Sequence, residues 1–70
     1  MKIEKSAVIE LVQAKIDYQR NMISIFQRNA DACSNTGNVG AKMAYESLET
    51  EYTAVLTALT ELLAEVEDVK

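Results

Sequence analysis

Apolar residues in the second half of the chain recur at alternating spacings of three and four, which is the period of an amphipathic helix. This stripe, which we call the α2 stripe after the predicted second helix (α2, residues 39–68), comprises Tyr45, Leu48, Tyr52, Val55, Leu59, Leu62, Val66 and Val69. Leu56 and Leu63 flank the stripe, and most of the acidic residues lie on the opposite side. The pattern predicts a second helix over residues 39–68.

The first half of the chain carries two apolar stripes and predicts a helix over residues 3–34. The first stripe is Val8, Leu11, Lys15, Tyr18, Met22, Ile25 and Asn29. The second stripe is Ile9, Val12, Ile16, Gln19, Ile23, Phe26, Ala30 and Cys33. At about 100° per residue the two stripes lie side by side and cover roughly half of the helix circumference.

A polar segment that holds the only two glycines, Gly37 and Gly40, separates the two halves. Gly37 suits the left-handed position that ends a helix, and Asn38 (or Thr36) suits the N-cap of the next helix. The chain contains no proline. We therefore predict one all-α domain over residues 1–70, an antiparallel hairpin with a loop at residues 35–38.

Folding the chain back at this loop places residues whose numbers sum to about 74 at the same height along the helices. On this register the first stripe is expected to face α2, as in Tyr18 against Val55, and the second stripe is left exposed. A contiguous apolar surface of that size is rare on soluble monomers. The predicted oligomer interface is therefore Ile9, Val12, Ile16, Gln19, Ile23, Phe26, Ala30 and Cys33.

A second copy of the chain is the expected partner at this interface, and the two hairpins would form a four-helix bundle. Gln19, a polar residue within the second stripe, would then help to set the register between the two chains. Two alternatives stay open: a looser hairpin whose wide face bends around α2, or a different helical protein that covers the surface.

Composition excludes several kinds of site. The single cysteine, Cys33, rules out a disulfide within the chain, and the absence of histidine leaves little basis for a thiolate or imidazole metal site. No cofactor is expected. The lone cysteine and the lack of a secretory signal indicate a reducing, cytoplasmic compartment, and no segment reaches the length of a membrane span.

The negative charge is concentrated in the second half of the chain. Residues 42–70 hold two lysines against seven acidic residues, which disfavours binding to nucleic acid or to anionic membranes. Two carboxylate pairs, Glu46 with Glu49 and Glu65 with Asp68, are too far apart on one helix to bind the same metal ion. They are interpreted as a solvated acidic face, and the alternative is a carboxylate–metal enzyme assembled across a dimer.

No pair of residues in the sequence suggests a nucleophile and its base, so the chain is expected to be a non-catalytic protein-interaction module, in the manner of small bacterial or phage regulators and adaptors. The predicted architecture resembles Rop, a plasmid RNA-binding regulator whose helical hairpins dimerise into a four-helix bundle. That resemblance implies RNA binding by a basic strip on the first helix. Here Arg20 lies between Asp17 and Asp31, so RNA binding is the alternative rather than the prediction.

Overall fold

The computed structural model describes residues 4–69, which form two long α-helices packed side by side. Helix α1 spans Lys5–Thr36 and helix α2 spans Val39–Asp68. The pair measures 53 × 17 × 14 Å, as expected for a rod of two antiparallel helices about 30 residues long with a rise of about 1.5 Å per residue. Residues 4–69 contain no strand. The predicted all-α hairpin is confirmed.

The turn between the helices consists of Gly37 and Asn38 alone, so it is shorter than the predicted loop at residues 35–38. Gly37 adopts the left-handed conformation, with φ of 76°. Its N–H donates to Ser34 O, and the Asn38 N–H donates to Cys33 O at 2.9 Å. This is the Schellman arrangement that closes a helix. Gly37 is thus the residue that ends α1, and the helix extends to Thr36, two residues beyond the predicted end at residue 34.

Asn38 begins α2 as its N-cap, as predicted. The Asn38 side-chain oxygen accepts a hydrogen bond of 3.1 Å from the Ala41 N–H, which satisfies one of the backbone donors exposed at the start of a helix. At the other end of the chain, α1 begins at Lys5, and the predicted start at residue 3 lies outside the described residues.

The predicted register between the helices is confirmed by contacts along the length of the hairpin. The Phe26 ring meets the Tyr52 ring edge to face, with centroids 4.9 Å apart and planes at 77°. The Gln27 side-chain amide donates to Glu49 Oε1 at 3.1 Å. At the open end, Lys5 Nζ donates to Glu67 O at 2.6 Å. In each pair the two residue numbers add up to a value near the predicted one of about 74.

The face of α1 that packs against α2 differs from the predicted one. The buried residues are Val12, Ile16, Phe26 and Ala30, all of which belong to the second stripe. Two residues of the first stripe, Leu11 and Tyr18, are 59 % and 56 % exposed. The expectation that the first stripe faces α2 is therefore wrong for Leu11 and Tyr18, whereas Val8, Met22 and Ile25 of that stripe are half-buried.

Helix α2 follows the prediction in part, because five residues of the α2 stripe are half-buried: Tyr45, Leu48, Tyr52, Leu59 and Val66. Val55, Leu62 and Val69 of the predicted α2 stripe are exposed. The flanking residues Leu56 and Leu63 are half-buried, because they lie closer to the line that joins the two helix axes. The side of each helix that faces the other helix therefore leaves Tyr18 and Val55 at the edge of the contact and not in its centre.

Candidate protein-interaction surface

One broad side of the hairpin carries exposed apolar side chains from both helices. We define the open face as Leu11 and Tyr18 of α1 with Val55 and Leu62 of α2; their exposed fractions lie between 43 % and 59 %. On each helix the two members are seven residues apart, which is two turns, so they share one side of that helix. The four side chains therefore form one surface and not isolated exposed positions.

A groove of about 440 Å³ runs between the helices on the open face. Its lining residues come from both helices: Leu11, Ala14, Lys15, Tyr18, Gln19, Val55 and Leu59. Five of the seven are hydrophobic or aromatic. A groove with this lining fits an apolar side chain from another helix better than a charged or strongly polar group.

Two polar groups accompany the apolar lining. Lys15 is exposed and lies between Leu11 and Tyr18 on α1. Gln19 is half-buried, and none of the described residues donates a hydrogen bond to its buried Oε1 atom.

The predicted interface residues lie on the side of α1 that packs against α2, whereas the prediction required them to face solvent. Val12, Ile16, Phe26 and Ala30 are buried within the hairpin. Ile9, Gln19, Ile23 and Cys33 are half-buried. Contact of these residues with a second chain is not tested by a single chain. The premise of that prediction, that the hairpin leaves the second stripe exposed, is wrong.

Sequence reasoning missed the open face because it assigned Leu11, Tyr18 and Val55 to the contact between the helices. The polar residues Lys15 and Asn29 could have indicated which stripe of α1 faces α2. The first stripe contains these two polar residues, whereas Gln19 is the one polar side chain of the second stripe. Burying a lysine between two helices costs more than burying isoleucine. The more apolar stripe therefore turns inward, and Lys15 stays in solvent.

The remaining polar side chains of the described residues offer no further site. On α2, three threonine hydroxyls donate to carbonyls one turn back: Thr50 to Glu46 O, Thr57 to Thr53 O and Thr60 to Leu56 O. These hydroxyls are satisfied within their own helix. Cys33 is half-buried one turn before Gly37. Within residues 4–69, no three acidic or thiol side chains come together as a metal site would require.

Neither helix, over the part of the chain that the structure describes, combines the length and the apolar character needed to cross a bilayer. Comparison with known proteins adds no assignment, because no family model, curated protein or solved structure matches this chain significantly. The interaction surface is therefore characterised by its own geometry: a groove between two helices, lined in part by the exposed apolar side chains of Leu11, Tyr18 and Val55.

Proposed function

We propose that this chain is a non-catalytic protein-interaction module that acts as a homodimer, in which two hairpins pack through their open faces into a four-helix bundle. The observation that carries the proposal is the open face itself. Both helices contribute large apolar side chains to one side of the rod, and the groove between them is shaped to receive side chains from a facing helix.

The small core of the single hairpin supports the same conclusion. Four side chains are buried among the described residues, and only Ile16 is almost completely enclosed, at 2 % exposed. A chain of this size supplies roughly 3–5 kcal/mol of net stability from a single core. Full burial of a fully exposed Leu or Val contributes about 1.5–3 kcal/mol, and the open-face side chains still have about half of that burial to gain, so a second hairpin on the open face would raise the stability.

The broad side of the rod, of which the open face is the half away from the turn, is large enough for the interface of a stable dimer. The broad side of the rod measures 53 by 17 Å, a projected area of about 900 Å², whereas a standard protein–protein interface buries about 800 Å² per partner. A second copy has an open face of the same size and shape, so a twofold axis makes the contact self-complementary.

The test compares two neighbouring β-branched residues on α2. Val55 lies on the open face, and Thr57 lies about 200° around the helix on the opposite side. We expect gel filtration with light scattering to show a dimer for the wild-type chain, a monomer for Val55→Glu and a dimer for Thr57→Glu. Circular dichroism establishes that each variant remains helical.

Two results would contradict the proposal. A wild-type chain that stays a folded monomer at millimolar concentration would exclude self-association as its working state. A Val55→Glu variant that still dimerises as tightly as Thr57→Glu would show that the contact lies elsewhere on the hairpin.

A further inference from the structure

We infer that the two hairpins of the dimer point in the same direction, with their turns at one end, so that α1 of each chain packs on α2 of the other. This arrangement rests on the dimerisation proposed above and goes further by fixing the relative orientation of the copies. It also assigns Lys15 a cross-chain partner, Glu65 of the partner subunit.

Twofold symmetry allows two ways to stack one open face on another. An axis parallel to the helices places α1 over the partner's α2 and keeps the two Gly37 turns together. An axis perpendicular to the helices, lying between the two layers, places α1 over the partner's α1 and puts the turns at opposite ends. Neighbouring helices run antiparallel in both, so the helix dipoles do not decide between them.

The position of the open face along the rod favours the parallel axis. Leu11, Tyr18, Val55 and Leu62 lie on the half of the hairpin away from the turn, centred about 33 Å from Gly37 at 1.5 Å per residue. A perpendicular axis through this centre would shift the hairpins past each other by about 18 Å. A parallel axis superposes the open faces and keeps the full 53 Å of contact.

The charges favour the same arrangement. Helix α1 carries four basic against three acidic residues, whereas α2 carries Lys42 against seven acids. Lys15 is at the centre of the open face, so a perpendicular axis would bring it against Lys15 of the partner subunit. The parallel axis instead faces Lys15 with the acidic helix, where like charges are replaced by opposite ones.

Glu65 is the acid placed to meet Lys15. It is exposed and lies three residues after Leu62, so it borders the open face on α2. It lies about 9 Å farther from the turn than Lys15, a difference that two long, flexible side chains can span. Lys15 thereby keeps its ammonium group at the rim of the interface while its methylene stem covers apolar surface.

Spin labels near the turn distinguish the two axes. In a Cys33→Ala background we would label Ser34→Cys, an exposed position one turn before Gly37, and measure the distance between labels by double electron–electron resonance. With helices about 10 Å apart, the parallel axis predicts a distance below about 30 Å. The perpendicular axis predicts roughly 35–55 Å for an axis between the centre of the rod and the centre of the open face.

Charge reversal tests the cross-chain pair. Lys15→Glu and Glu65→Lys should each weaken dimerisation about three- to tenfold, and the double variant should restore it. The control combines Lys15→Glu with Glu46→Lys, which lies on the opposite side of α2, and should not restore the affinity. A dimer with a long label distance, or a double variant without rescue, would overturn this inference alone. A monomer at every concentration would overturn the proposed function as well.

Discussion

At the scale of single residues, the turn between the helices depends on the backbone conformation of Gly37. Gly37 has a positive φ, and a Cβ built on it would meet nothing within 4 Å. The requirement for glycine therefore comes from the backbone conformation and not from crowding, since a Cβ in the left-handed region costs about 1–2 kcal/mol. Such a position is visible in the sequence because it depends on local chemistry alone.

Replacing Gly37 by alanine should lower the free energy of unfolding by about 1 kcal/mol. Gly40 is the matched control, because it lies within α2 and its Cβ would also meet nothing within 4 Å. Gly40→Ala should raise the stability by about 0.5–1 kcal/mol through helix propensity. Urea unfolding of both variants gives the comparison, and equal effects of the same sign would contradict the assigned role of Gly37.

For residues in the apolar stripes, burial could be predicted less well from the sequence. Ile16 and Leu11 both belong to helical stripes of similar character, yet Ile16 is 2 % exposed and Leu11 is 59 % exposed. The sequence shows that each stripe is apolar, and only Lys15 and Asn29 within the first stripe indicate which one faces α2. The difference arises from the rotation of α1 about its axis, which depends on how the whole α1 and α2 surfaces fit together.

At the scale of the elements, the open end of the hairpin is held by an interaction that periodicity does not reveal. Lys5 Nζ donates to the backbone carbonyls of Glu67 and Val69, at the C-terminal end of α2. These carbonyls have no partner within the helix and carry the negative end of its dipole. A lysine at the start of α1 thus stabilises the end of α2.

Lys5→Met should lower the free energy of unfolding by about 0.3–1 kcal/mol and increase hydrogen exchange in the last turn of α2. The loss should shrink at high salt, since screening already weakens the interaction in the unmodified chain. Lys42→Met is the control, because Lys42 lies near the positive N-terminal end of α2 and its removal should not destabilise the helix. A Lys5→Met variant with unchanged exchange would show that the contact contributes nothing.

At the scale of the whole molecule, the hairpin buries few side chains and exposes apolar side chains of both helices on one side. Its core consists of Val12, Ile16, Phe26 and Ala30 in α1 against half-buried side chains of α2. The pairing of Phe26 with Tyr52 adds about 0.5–1.5 kcal/mol beyond burial. An assembly that covers the open face would complete a core that two helices alone leave one-sided.

If the folded state is the proposed dimer, the melting temperature should rise with protein concentration, by mass action. We expect a measurable increase between about 5 and 500 µM for the wild-type chain and for Thr57→Glu. Val55→Glu should melt at a lower temperature that does not depend on concentration. A wild-type melting temperature that is constant over this range would argue against a dimeric native state.

The sequence by itself determined the features that depend on local chemistry and on helical period. These are the two helices, the Gly37–Asn38 turn, the Asn38 cap and the antiparallel register that the turn imposes. The tertiary structure decided the rotation of α1 about its axis, because the two stripes on α1 differ by only a few polar residues such as Lys15 and each offers an apolar side to α2. That choice moved Ile16 and Phe26 into the core and left Leu11, Tyr18, Val55 and Leu62 as the open face.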